Sequence, residues 1–152
     1  MFSFEGDWKS ADLTYKASVR PLLAILEQVC GGEFIHRRIG TKEELSYYIN
    51  KWLQKKYDLY TVGHFAFHGT RREIQLGGDS VTLDQLAEMI NESRNGAAGR
   101  IIYFGSCSTL GIDEGEIEQF CKATGAKAVV GYRRVVQWIE SAAFELLLLE
   151  TL

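Results

Sequence analysis

The sequence predicts an α/β fold, a three-layer α/β/α sandwich with a mostly parallel central sheet of five or six strands. Three observations carry this expectation. Ile101, Ile102, Tyr103 and Phe104 form a short apolar run, rich in β-branched and aromatic residues, of the kind found in strands buried on both faces. It stops at Gly105-Ser106-Cys107-Ser108-Thr109, small residues that let another molecule approach the backbone. A second strand-like run, residues 60–67, ends in the same way at His68-Gly69-Thr70. Helical patterns separate the strand-like runs throughout, which predicts parallel pairing through right-handed crossovers. Ligands bind at the carboxyl ends of strands in such sheets, so His68 and Cys107 are expected at one functional edge.

Phe2-Ser3-Phe4 reads as the first strand, cut by Glu5-Gly6-Asp7-Trp8. Residues 18–29 read as a helix: Ser18 is an N-cap, Pro21 sits in the first turn, and Leu22, Leu23, Ile25, Leu26 and Val29 recur at helical spacing. Gly31-Gly32 ends it. Residues 33–39 form a more polar strand, expected near an edge. Thr41 with Glu44 is a capping box for a helix whose apolar face holds Leu45, Tyr48, Ile49, Trp52 and Leu53. After the strand leading to His68, residues 73–81 read as a hairpin that turns at Gly77-Gly78-Asp79. Thr82 caps a helix to about Asn91, and residues 92–99 are a polar loop. The Cys107 strand follows, then a short helix over 113–124, a strand over 126–132 and a last helix over 136–152.

The chain has 152 residues, enough for a single domain over 1–152 that buries about 70% of its unfolded surface. A net charge of −3 argues against a nucleic-acid partner, which would need a basic stripe. Cys30, Cys107 and Cys121 are odd in number, widely spaced and lack a C-x-x-C pair, which fits a reducing compartment. Glu5 and Asp7 interrupt the N-terminal stretch where a signal peptide needs an apolar core, and no apolar run is long enough to span a membrane. The expectation is a cytoplasmic protein with no membrane partner.

A cysteine is a strong nucleophile as thiolate, and a nearby imidazole is the usual activator. Cys30 and Cys121 are flanked by helical apolar residues and read as small buried side chains. Cys107 follows its apolar run and sits among small polar residues, so it is open to either reading. Gly69 after His68 offers a backbone N–H to a developing oxyanion. Ser108 and Thr109 read as loop hydrogen-bonders. His36 reads as solvated in a basic strand. Asp7, just past the first strand, is a candidate for a basic substrate group, and Arg133 in Arg133-Arg134 for an acidic one. His64, His68 and Cys107 lack a fourth ligand at the usual spacing, so no metal or other cofactor is expected.

The segments H-F-A-F-H-G-T and I-I-Y-F-G-S-C-S-T, in that order and separated by a hairpin and a helix, resemble the caspase-type cysteine peptidases. They are most similar to the bacterial CHAT domains and their separase relatives. The element order of most of the chain fits that fold. The resemblance implies a caspase-like sandwich and a cysteine endopeptidase with His68 as general base and Cys107 as nucleophile. It also implies an oxyanion hole formed by the N–H groups of Gly69 and Cys107, and a protein or peptide substrate. Ser106 stands where caspases carry Gln-Ala before the cysteine, so their preference for aspartate is not carried over. No processing loop separates the two motifs.

The competing expectation is a catalytically inactive caspase-like module that acts by protein–protein interaction. A flavodoxin-like or receiver-like domain is disfavoured, because no glycine-rich phosphate loop or acidic cluster follows the first strand. From Val135 the apolar residues Val136, Trp138, Ile139, Ala142, Ala143, Leu146, Leu149 and Leu152 form one helical stripe expected on the sheet. Phe144, Leu147 and Leu148 widen it beyond one face, so this helix is expected to meet a homodimer mate, or a partner domain or segment beyond the C-terminus.

Overall fold

The computed structural model describes residues 1–151 apart from Ser10 and Leu13. In chain order the elements are β1 (Phe2–Glu5), α1 (Arg20–Cys30), β2 (Ile35–Arg38), α2 (Lys42–Trp52), β3 (Val62–Ala66), β4 (His68–Thr70), β5 (Glu73–Leu76) and β6 (Asp79–Thr82). Then come α3 (Leu83–Asn91), β7 (Ile101–Phe104), α4 (Glu114–Thr124), β8 (Ala128–Gly131) and α5 (Trp138–Thr151). Five strands pair in parallel in the order β2-β1-β3-β7-β8, and β4-β5-β6 form a separate antiparallel sheet. The α/β class and the parallel central sheet expected from the sequence are thus present.

The winding explains where a cleft can form. The chain steps outward from β1 to β2, then returns past β1 to β3, β7 and β8. Crossovers of one hand place helices on opposite faces when the stepping direction reverses. The loops leaving β1 and β3 therefore splay apart at the carboxyl edge, the position where open α/β sheets bind ligands.

The two faces of the sheet differ in chemistry. Period-two alternation puts Phe2, Phe4, Phe65, Ile102 and Phe104 in one apolar core with Leu45, Ile49 and Trp52 of α2, Leu86 and Ile90 of α3, and Phe120 of α4. Burying each such side chain contributes roughly 1.5–3 kcal/mol. Ile74, Leu76 and Val81 tie the small sheet into that core. The other face meets α1 and α5 through Leu22, Leu23, Leu26, Ala66, Ala142, Leu146 and Leu149. There the sheet contributes polar residues, Ser3, Glu5 and His64, all fully buried.

Local chemistry sets the helix ends. Thr82 and Gln85 form a reciprocal capping box on α3, as Asp113 and Glu116 do on α4. Thr41 caps α2 through the Glu44 N–H, but the Glu44 carboxylate accepts from Gly40 N instead of closing the box. Ser18 lies one residue outside the cap of α1, which is Val19; its hydroxyl accepts from Arg20 N at 3.1 Å.

Three expectations are corrected. Cys30 is exposed, because it ends α1 beside the left-handed Gly31, while Cys121 is half-buried with its thiol on Ala126 O at 3.3 Å. His36 is not solvated: β2 pairs with β1 in a register that sets it beside Ser3, and its Nε2 donates to Glu5 Oε2 at 2.6 Å. In α5 the inward face is Ala142, Glu145, Leu146 and Leu149, whereas Ile139, Ala143, Phe144 and Leu147 are exposed and Leu148 is half-buried. Leu152 of the expected stripe lies outside the described residues. No described helix is long and apolar enough to cross a membrane.

Candidate active site

β3 and β7 are neighbours, with Phe65 opposite Phe104 and Gly105 N donating to Phe65 O at 3.0 Å. His68 and Cys107 therefore leave adjacent parallel strands at the carboxyl edge. Both line a cavity of about 380 Å³ that opens at the reversal of winding. Trp8 from the loop after β1, Leu22 and Ile25 of α1, and Trp138 and Leu146 of α5 line its apolar wall.

The two motif segments pack directly on each other. A methyl group built on Gly69 would sit 2.6 Å from Cys107 O and 2.9 Å from the Ser106 Cβ, so only glycine lets the histidine strand approach the cysteine loop this closely. That loop is held on both sides. Ser108 N and Leu110 N donate to Arg134 O and Tyr132 O, each at 3.2 Å, and Arg72 N donates to Thr109 O at 3.2 Å. The buried Thr109 hydroxyl pairs with Ser106 Oγ at 2.8 Å and reaches Glu73 O at 3.3 Å, the loop-fixing role expected of it. Ser108 adopts a left-handed φ of 57°, a conformation that costs a non-glycine residue about 1–3 kcal/mol and that the surrounding bonds sustain. The Cys107 N–H donates to no group among the described residues. The thiol makes one long contact, 3.7 Å to Val136 O.

His68 is oriented from the other side of the cleft. Its Nε2 lies 2.6 Å from Trp8 O. A carbonyl can only accept, so Nε2 carries the proton and Nδ1 is the basic nitrogen. The Trp8 ring stands edge-on to the imidazole at 5.2 Å and to Trp138 at 4.7 Å. The Trp8 indole N–H donates to Glu5 Oε1 at 2.6 Å. Glu5 also accepts from Val19 N at 2.8 Å, Ser18 Oγ at 2.7 Å and His36 Nε2 at 2.6 Å. Burial alone would raise the Glu5 carboxyl, but these donors outweigh it and hold the group below the ordinary glutamate range. One buried carboxylate thus fixes the start of α1, the β2 edge and the tryptophan that holds His68.

A second polar cluster lies beneath the cleft. His64 bonds Ser3 Oγ through Nδ1 at 3.1 Å, while its Nε2 has no hydrogen-bond partner among the described residues. Glu145 Oε2 lies 3.9 Å from that nitrogen, and Oε1 accepts from the Tyr132 hydroxyl at 3.4 Å, itself 3.2 Å from the Tyr103 hydroxyl. Burial pulls His64 down to about 4 and pushes Glu145 up to about 7, against the pull of its two tyrosine partners. Burial likewise pushes Tyr132 up to about 12.

The other candidates lie elsewhere. Asp7 is paired with Arg38 at 2.8 Å, because the β1–β2 register brings that arginine alongside, and it lines a separate hollow with Lys9 and Arg38. The Arg133 guanidinium turns toward the start of α4, donating to Ile112 O at 2.9 Å, and does not line the cleft. Trp8, Glu5 and Glu145 were not singled out from sequence, although the alternation F-S-F-E marks Ser3 and Glu5 as sharing a face.

The fold and site define an α/β protein with a histidine and a cysteine sharing a cleft where the winding of a parallel sheet reverses. The chain belongs to DUF6642, a family of unknown function, matched over residues 1–151. No curated protein and no solved structure matches it.

Proposed function

We propose that the protein is a cysteine peptidase of caspase-like type, with His68 as general base and Cys107 as nucleophile. The observation that carries this reading is the pair's position on adjacent strand ends in one cavity, with the Trp8 carbonyl engaging His68 Nε2 and no hydrogen-bond partner on Nδ1 among the described residues. In the proposed reaction, Nδ1 takes the Cys107 proton as the sulfur–carbon bond forms at the peptide carbonyl. The carbonyl electron pair moves to oxygen, where the N–H groups of Gly69 and Cys107 receive it. Collapse of this adduct breaks the carbon–nitrogen bond, and the imidazolium returns its proton to the leaving amine. Water, deprotonated by His68, then cleaves the thioester and restores the thiol.

Alkylation by a small neutral thiol reagent tests the pair. Cys30 is more exposed than Cys107, so exposure alone would make it react faster. An activated Cys107 should instead react about tenfold faster or more, and His68→Ala should remove that advantage. Trp8→Phe keeps an aromatic ring but deletes the bond to Glu5, and should reduce the advantage by a smaller factor, about threefold. Equal labelling of Cys30 and Cys107 in the parent protein contradicts the dyad.

A second reading, a catalytically silent module that acts through protein contacts, is favoured by the exposed apolar face of α5, where Ile139 is 78% and Leu147 68% exposed. The same experiment separates the two readings, since a silent module needs no activated thiol.

A further inference from the structure

We propose that the inner end of the cleft is a subsite for an organic cation, a ligand or substrate side chain with an apolar shaft of a few carbons ending in a guanidinium or ammonium group. As a substrate subsite it rests on the peptidase reading; as a binding site it stands apart from it.

The chemistry of the cavity wall points this way. Leu22, Ile25, Leu146 and the two tryptophans supply apolar surface for a shaft. Among the described lining residues Glu145 is the single carboxylic acid, and no lysine or arginine is present. Glu145 is 5% exposed, because helical spacing sets it on the same face of α5 as Ala142, Leu146 and Leu149. Its carboxyl is poorly served there. Its partners are neutral: Oε1 accepts one long bond from Tyr132 at 3.4 Å, Tyr103 is the second tyrosine beside it, and the basic group nearest Oε2 is the His64 ring at 3.9 Å, which burial keeps neutral near pH 7. A buried carboxyl without a cation is costly, and a ligand cation supplies the missing partner. Guanidinium fits best, since its planar fork meets a carboxylate through two parallel bonds.

Gly105 connects this carboxyl to the nucleophile. A methyl group there would lie 2.7 Å from His64 Nε2 and 3.3 Å from Glu145 Oε1, so the bare backbone two residues before Cys107 rests directly against the acid. A side chain that reaches Glu145 therefore passes beside the Cys107 loop. The same wall disfavours acidic ligands, which would meet the carboxyl and no lysine or arginine among the described lining residues.

Butylguanidinium and butylurea are nearly the same shape and differ in charge, so titration calorimetry with the pair at pH 8 tests the subsite. Butylguanidinium should bind the parent protein at least tenfold tighter than butylurea. Glu145→Gln should lower butylguanidinium to the level of butylurea and leave butylurea unchanged. Equal binding of the two ligands to the parent overturns the proposal without any variant, and undiminished guanidinium binding by the Gln variant overturns it as well. The outcome is separable from the peptidase reading. Rapid Cys107 alkylation without charge-selective binding keeps the dyad and removes the subsite; charge-selective binding with an inert Cys107 does the reverse.

Discussion

Cys107→Ala is expected to abolish peptide hydrolysis and leave the fold intact. The position lies in a loop past β7, half-buried at the cleft wall, so truncation opens no sealed cavity and should cost little stability. His68→Ala is expected to lower kcat/KM by about a thousandfold, within the span usual for loss of a general base. The double variant should be no worse than Cys107→Ala, because the two groups act as one unit. Initial rates on a pooled fluorogenic peptide library, with circular dichroism as the folding control, check all three. Hydrolysis by Cys107→Ala at the parent rate would show that the nucleophile is misassigned.

Glu145→Gln should change stability in a manner that depends on pH. Burial holds the Glu145 carboxyl at about 7 in the folded protein, against 4.5 for an ordinary glutamate. The folded state therefore keeps a proton that the unfolded chain releases between those values. This group's stabilisation is complete below pH 4.5 and is lost as the pH rises to 7, a change of about 3 kcal/mol. His64 works in the opposite sense. Its folded value near 4, against 6.5 unfolded, gives stability that is complete above pH 6.5 and lost as the pH falls to 4. Tyr103, Tyr132 and the Glu5–His36 pair surround the two groups, and both tyrosines titrate far above this window. In the parent the two slopes oppose, and stability should be nearly flat between pH 4.5 and 6.5. In the Gln variant the His64 slope stands alone. Relative to the parent, the variant should gain about 3 kcal/mol between pH 4 and pH 8. Denaturant midpoints at the two pH values measure this. A variant less stable at pH 8 than at pH 4, relative to the parent, would mean that Glu145 is ionised and pairs with a charged His64.

The parts of this structure that were legible in the sequence are those whose chemistry is local. Ile101–Phe104 and the run before His68 are apolar enough to be strands in any surroundings, and their terminal small residues mark the edge where the chain leaves the sheet. Thr82 and the Gly77-Gly78 turn carry their own hydrogen-bond logic. The supporting groups were not legible, because each takes its role from an element distant in the chain. Glu5 reads as a strand breaker until Ser18 and Val19 before α1 and His36 of β2 join the nearby Trp8 as its donors. Asp7 reads as a free carboxylate until the β1–β2 register brings Arg38 beside it. Glu145 reads as one polar residue in an apolar helix; its spacing from Ala142 and Leu149 marks the inward face, but not the cavity on that face. Similarly, Cys30 and Cys121 share an apolar local context, and the end of α1 at Gly31 is what leaves Cys30 in solvent.

The central claim, that Cys107 attacks an acyl carbon with His68 as its base, is tested most directly by trapping the covalent intermediate. The protein is mixed with an activated peptide ester, quenched in acid within the first turnover, digested and analysed by mass spectrometry. The acyl group should be found as a thioester on the Cys107 peptide of the parent, at close to one equivalent per chain, and should be absent from Cys30, from Cys121 and from the His68→Ala variant. Acylation of Cys30 or Cys121 to the same extent as Cys107, or equal acylation of Cys107 when His68 is alanine, would contradict it.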